Sequence, residues 1–199
     1  MRKLIVATKN KGKLAEIRSI LSGYLVLGQE EAGLDAEVEE TGSTFAENAL
    51  LKARSVAALT DGAVLADDSG LEVDALGGAP GIYTARYAGE GASDNDRMQK
   101  LLSALNGVPD GERTARFVCV MALVMPDGTA HTFDGVCSGQ IAHAPRGENG
   151  FGYDPIFLLP GRRKTLAELP EDEKNSISHR FRALEQVAAF LQSYKRGAM

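Results

Sequence analysis

An α/β fold built on a mixed sheet is what this sequence predicts, and three features predict it. Short apolar segments of strand length alternate with stretches whose apolar residues recur at helical spacing. The turn Pro126-Asp127-Gly128-Thr129 joins two strand-like segments into a hairpin. Strands alternating with helices, plus one hairpin, call for parallel and antiparallel neighbours in the same sheet. The 199 residues suffice for one sizeable domain, 1–199, with no internal repeat, linker or low-complexity tract.

Taken in order, Lys3 to Ala7 reads as a short buried strand. After the polar loop Thr8-Lys9-Asn10-Lys11-Gly12-Lys13, apolar residues at Leu14, Ile17, Ile20 and Leu21 mark a helix. Residues 22–43 are mixed, with acids at Glu37, Glu39 and Glu40. Thr44-Phe45-Ala46-Glu47 has the pattern of a capping box and opens a helix rich in Ala and Leu that runs to about Leu59. Ala63 to Ala66 reads as a second buried strand that ends abruptly in Asp67-Asp68-Ser69-Gly70. Gly77 to Gly81 must be a loop, and Met98, Leu101, Leu102 and Leu105 mark a third helix. Strands are predicted over Arg116–Met125 and Ala130–Ile141. A Gly-rich loop at 147–154 then leads into the apolar run Pro155 to Leu159. The last helix is predicted to carry Ile177, Phe181, Leu184, Ala188 and Leu191 on one face.

Composition narrows the function. Hydrophobic residues make up 44% and charged residues 25%, ordinary for a globular chain and wrong for a disordered one. The 22 basic and 27 acidic residues give a net charge of −5, without the basic footprint of a dedicated nucleic-acid binder. The longest apolar run, Phe117 to Met125, is about half of the roughly 18 residues that a bilayer span requires. Met1-Arg2-Lys3 leads straight into strand-like sequence with no signal-peptide core. Cys119 and Cys137 lack partners at metal-ligand spacing. Together these features fit a reducing cytoplasm, with neither a membrane nor nucleic acid as partner.

Four places could carry chemistry. The loop Thr8 to Lys13 precedes a helix, where free amides and the positive dipole end suit a phosphate. It is not a Walker A loop, because Leu14 follows the lysine where Ser or Thr is required. A solvated turn explains it equally well. Asp67-Asp68-Ser69-Gly70 places two carboxylates side by side, costly unless they are solvated, capped or neutralised by a cation. Such an oxygen cluster suits Mg²⁺, and an acidic turn is the alternative. Glu39 and Glu40, just before another turn, could add a ligand, although alone they read as a solvated acidic face. Gly150-Phe151-Gly152-Tyr153-Asp154 offers either a stacking face for a planar base or a tight turn with core aromatics. Lys174 with Ser178-His179-Arg180 could supply donors to a carbonyl or phosphate, or simply face solvent. Together the four suit a nucleoside triphosphate with magnesium.

The chain also resembles the non-canonical purine nucleoside triphosphate pyrophosphatases, the inosine/xanthosine triphosphatase family. The resemblance lies in Leu4 to Thr8, Glu40 to Ala49, Ala66 to Leu71, Gly78 to Tyr87, Gly150 to Pro155 and Ser178 to Arg180, spanning nearly the whole chain. Lys9 departs from it, standing where many relatives have Gly. The resemblance implies an elongated, two-lobed α/β domain around a long central mixed sheet, with the active-site cleft between the lobes, and usually a homodimer. It implies Mg²⁺-dependent hydrolysis of dITP, ITP and XTP to the monophosphate and pyrophosphate, which removes them from the nucleotide pool. Carried onto this sequence, Thr8, Lys9, Asn10, Lys11, Gly12 and Lys13 would hold phosphates. Glu40 and Asp68 would hold the metal, and Asp68 would accept the proton of the attacking water. Ser69, Phe151, Gly152, Tyr153, Asp154, Lys174, His179 and Arg180 would complete the substrate site.

Base choice is expected from donors. His179, Arg180 and amides near Tyr153 would bond the purine 6-carbonyl and would meet the adenine amino group donor to donor. Two rival readings are a pyrophosphatase of the related Maf-like type, acting on pyrimidine or modified nucleotides, and a catalytically silent nucleotide- or RNA-binding module. A substrate panel separates the first, and pyrophosphate release the second.

Overall fold

The computed structural model describes residues 2–197. Six strands form one mixed sheet: β1 (Arg2–Val6), β2 (Tyr24–Gly28), β3 (Ala63–Val73), β4 (Thr114–Val124), β5 (Ala130–Ile141) and β6 (Phe157–Leu158), in the order β2-β1-β3-β4-β5-β6. Five α-helices accompany them: α1 (Lys11–Ile20), α2 (Phe45–Ala57), α3 (Asp94–Ala104), α4 (Glu171–Ile177) and α5 (His179–Gly197). β1 runs parallel to both β2 and β3, with Leu4 opposite Val26 and Ile5 opposite Val64. β5 and β6 are antiparallel. Among the described residues, no helix is long and apolar enough to cross a membrane.

Internal contacts divide the chain into two compact units. One comprises the residues up to Asp68, Cys119–Gly135 and those from His179 onward; the other comprises Ser69–Val118 and Val136–Ser178. In the first unit, strand alternation sorts the core into two layers. Leu4, Val6 and Leu65 pack with Ile17 of α1 and its C-cap Leu21, and with Ala183, Leu184 and Val187 of α5. Ile5, Ala7, Val64 and Ala66 point the other way, onto Ala49, Ala53 and Val56 of α2. In the second unit, Leu71, Val73, Phe117 and Ile141 pack with Leu101 and Leu105, together with Tyr153 and Phe157. The buried Arg113 ties this core by donating to the carbonyls of Ile141 (2.8 Å), Leu105 (2.9 Å) and Ala142 (3.0 Å).

Several elements fall where the sequence places them, and three do not. Thr44 caps α2 by accepting from the Glu47 amide at 3.1 Å, and the Glu47 carboxylate reaches back to the Ser43 amide at 2.7 Å. β5 has the predicted limits. β2 lies inside the stretch read as mixed. β3 does not stop at Asp67 but runs on to Val73, because both aspartates find partners within the protein. Ile177 belongs to α4 rather than α5, since Ser178 adopts an extended backbone (φ −66°, ψ 156°) that separates the two helices.

α3 starts in a complete capping box: the Ser93 hydroxyl accepts from the Asp96 amide at 3.2 Å, and Asp96 accepts from the Ser93 amide at 2.9 Å. The Ser93 hydroxyl and amide hold the Asp96 carboxyl below its ordinary range. A depressed carboxyl contributes stability in full above its unfolded value of about 3.9, and loses it as pH falls through the lowered folded value. Ser93→Ala should therefore cost about 1 kcal/mol at neutral pH, with the gap to wild type narrowing in acid. Urea unfolding across pH 2–7 measures both.

Candidate functional site

The first unit gathers charge around two neighbouring residues of β3. Because side chains alternate along a strand, Asp67 shares the face of Leu65 and Asp68 the face of Ala66. Asp67 accordingly meets α1 and α5: its carboxylate pairs with Lys13 Nζ at 2.9 Å and Arg180 Nη2 at 3.3 Å. Asp68 meets α2, receiving Lys52 Nζ at 3.0 Å and Asn48 Nδ2 at 3.3 Å. Lys52 also donates to Glu40 Oε1 at 2.8 Å, so Glu40 and Asp68 close on one ammonium.

Burial and charge oppose each other at both Asp68 and Lys52. Burial pushes the Asp68 carboxyl above its ordinary value against the pull of Lys52, and the Glu40 charge pushes the same way. Burial alone would lower Lys52, but Asp68, Asp67 and Glu40 outweigh it and hold the ammonium above its usual value. The sequence reading missed Lys52. Its one signal is a lysine four residues after Asn48 in an otherwise Ala- and Leu-rich turn of helix.

The donor chemistry fits a hard divalent cation. Two carboxylates already converge on a single cationic centre, and Mg²⁺ uses one or two carboxylates with waters and phosphate oxygens. Among the described residues there is no group of three or more His, Cys, Asp and Glu able to hold a metal.

The loop before α1 is exposed from Lys9 to Gly12 and locally ordered. Thr8 Oγ1 accepts from the Asn10 amide at 3.2 Å, and Asn10 caps α1 by accepting from the Lys13 amide at 3.1 Å. Lys9 pairs with Glu37 at 3.0 Å on the surface. This loop presents a helix N-terminus to solvent, with Lys13 turned inward to Asp67.

Arg180 departs from the sequence expectation. It was expected to offer donors to a base, but its side chain is only 2% exposed and engages Glu16 and Asp67. Burial alone would lower its pKa, but those two carboxylates hold it further above its already high value. His179 is also buried.

In the second unit, the Gly-rich loop divides its aromatics. Phe151 is 39% exposed, whereas Tyr153 is buried and donates its hydroxyl to the Thr84 carbonyl at 3.0 Å. Asp154 accepts from the Phe151 amide at 3.0 Å and pairs with Lys174 at 2.6 Å, and Lys174 Nζ lies 4.7 Å from the Phe151 ring centroid. Gly150 sits at φ +77°, where an added Cβ would stand 2.1 Å from Asp154 Oδ2, so only glycine allows this closure. Asp94 fixes the loop from outside by accepting from the Gly152 amide at 2.8 Å. Ser69, on β3, is half-buried. One aromatic thus faces outward while the other anchors the loop.

A mixed sheet flanked by helices, with carboxylates and lysines gathered around its third strand, defines the class as an α/β protein. The Ham1 family model matches residues 4–190, and the chain belongs to that family. It is 49% identical over 195 residues to the dITP/XTP pyrophosphatase of Bacillus subtilis, covering 97% of this chain and 98% of that one. It is 54% identical over 186 residues to the dITP/XTP pyrophosphatase of Geobacter sulfurreducens, covering 92% and 94%. Among solved structures, the Ham1 protein of Staphylococcus aureus is 47% identical with a TM-score of 0.87, and the match covers 97% of this chain and 100% of that one. The HAM1 protein from Coxiella burnetii is 46% identical with a TM-score of 0.88 over the same shares. The family resemblance and the mixed α/β fold expected from sequence are thereby borne out.

Arg180→Ala would leave two buried carboxylates without their guanidinium. Removing one partner of a buried ion pair costs about 3–5 kcal/mol, and urea unfolding at pH 7 should show a loss of that order. A loss below about 1 kcal/mol, small for a buried pair, would return Arg180 to a binding role alone.

Proposed function

We propose that this chain hydrolyses the non-canonical purine nucleoside triphosphates dITP, ITP and XTP to the monophosphate and pyrophosphate, with Mg²⁺. The observation that carries the reading is the closure of Glu40 and Asp68 on one cationic centre, in a member of a family whose relatives are named dITP/XTP pyrophosphatases. When bound by Glu40 and Asp68, Mg²⁺ would supply positive charge to the triphosphate and acidify a water.

The chain's own residues do the rest. Water is added across the bond between the α- and β-phosphates, and pyrophosphate departs with the bond's electron pair. Asp68 takes the water's proton as general base. Lys52, held charged by its carboxylates, offsets negative charge as it develops. The exposed residues Lys9 to Gly12 at the N-terminus of α1 suit a phosphate. Phe151, with its exposed face, suits a planar base.

We place the enzyme in the cytoplasm as a homodimer. The family resemblance supports both, the buried cysteines Cys119 and Cys137 suit a reducing compartment, and molecular mass in solution checks the dimer.

The decisive experiment is a panel of dITP, ITP, XTP, ATP and GTP incubated with and without Mg²⁺, with products separated by chromatography. Equal amounts of inosine monophosphate and pyrophosphate should form from ITP, only with the metal, and ATP should be spared. Diphosphate and orthophosphate as products would overturn the reaction assignment. Asp68→Asn keeps the shape of the side chain and should lower kcat at least about 10²-fold, with an unchanged circular dichroism spectrum. Near-normal turnover in that variant would remove Asp68 from the chemistry.

A further inference from the structure

Asn48 is fully buried and polar, and no role in the chemistry has been given to it. Its side chain touches the site from two directions. Oδ1 accepts from the Gly42 amide at 2.8 Å, and Nδ2 donates to Asp68 Oδ2 at 3.3 Å. The orientation is forced, because a backbone N–H can only donate and an ionised carboxylate can only accept. An amide offers an acceptor to one partner and a donor to the other from two separate atoms.

The two partners belong to the acidic pair. Gly42 lies two residues after Glu40, in the turn that carries that carboxylate, and Asp68 is the other member. The turn packs so closely that a Cβ on Gly42 would stand 2.6 Å from Asn48 Oδ1. Asn48 and Lys52 are four residues apart on α2 and therefore share one face of the helix. Lys52 bridges Glu40 and Asp68 by charge, and Asn48 bridges the Glu40 turn and Asp68 by hydrogen bonds.

We propose that Asn48 is a positioning residue for the reaction: its amide fixes Asp68 and the Glu40 turn in one mutual arrangement, and it acts on metal binding and water activation only through them. This rests on the reading of Glu40 and Asp68 given above. Groups that orient metal-binding carboxylates typically contribute 10–100-fold in metal affinity or activity.

The test uses Asn48→Ala and Asn48→Asp in the full chain. Measurements are kcat with ITP, the Mg²⁺ concentration for half-maximal rate, Mg²⁺ affinity by calorimetry without nucleotide, and hydrogen exchange at the Gly42 amide. Asn48→Ala should lose about 10–100-fold in turnover or Mg²⁺ affinity, and Gly42 exchange should accelerate. Asn48→Asp keeps an acceptor for Gly42, so that amide should stay protected. It sets a like charge against Asp68, so turnover should fall as in the alanine variant. Wild-type kcat and Mg²⁺ affinity in either folded variant would overturn the proposal, as would a loss confined to melting temperature.

Should neither variant fold, nitrogen-15 spectra of the wild type decide. The Asn48 side-chain amide and the Gly42 amide should shift together on titration with Mg²⁺ alone, with one dissociation constant. Signals that stay fixed while Mg²⁺ binds would overturn the proposal. A wild type that releases no pyrophosphate from the panel would sink the activity reading instead, and the affinity and exchange measurements would still judge Asn48.

Discussion

The alternation of side chains across β3 at Asp67 and Asp68 is the constraint on which the rest of the first unit depends. Two adjacent carboxylates on a buried strand cannot share partners, because the pleat sends them to opposite faces. Each must then be neutralised by the layer it meets, since an unpaired buried charge is far costlier than any packing gain. α1 and α5 supply Lys13 and Arg180 on one face, and α2 supplies Lys52 on the other. Polar demands at two residues thus dictate the identity of cations on three helices.

That constraint explains where sequence reading succeeded and where it stopped. Thr44 was legible because a cap is local. β5 was legible because a turn and a strand pattern bound it on both sides. β3 was ended too early because two aspartates look like a strand terminus until their partners are known, and Lys13, Lys52 and Arg180 are distant in sequence. Lys52 was invisible for the same reason: its carboxylates lie 12 and 16 residues away. β2 was missed because five residues without a flanking cap carry little periodic signal.

The Gly-rich loop shows a different limit. Its composition left stacking face and core turn as competing readings, and the structure assigns one aromatic to each. Tyr153 joins the core and Phe151 faces outward. No single-residue pattern could have divided them, because the choice depends on φ > 0 at Gly150 and Gly152 and on Asp154 closing back onto the Phe151 amide. The residues were correctly singled out, but their division of labour belongs to backbone geometry.

The two faces of β3 meet different cations. On the α1 and α5 face, the carboxylates of Glu16 and Asp67 meet Lys13 and Arg180. The guanidinium there is closed off from solvent, so its ion pairs are shielded from water. On the α2 face, Glu40 and Asp68 share the ammonium of Lys52. Burial and the Glu40 charge hold the Asp68 proton more tightly than an ordinary aspartate's, despite Lys52. Two adjacent carboxylates on one strand therefore commit it to Lys13 and Arg180 on one side and to Lys52 on the other, and the step from Asp67 to Asp68 is the boundary between them.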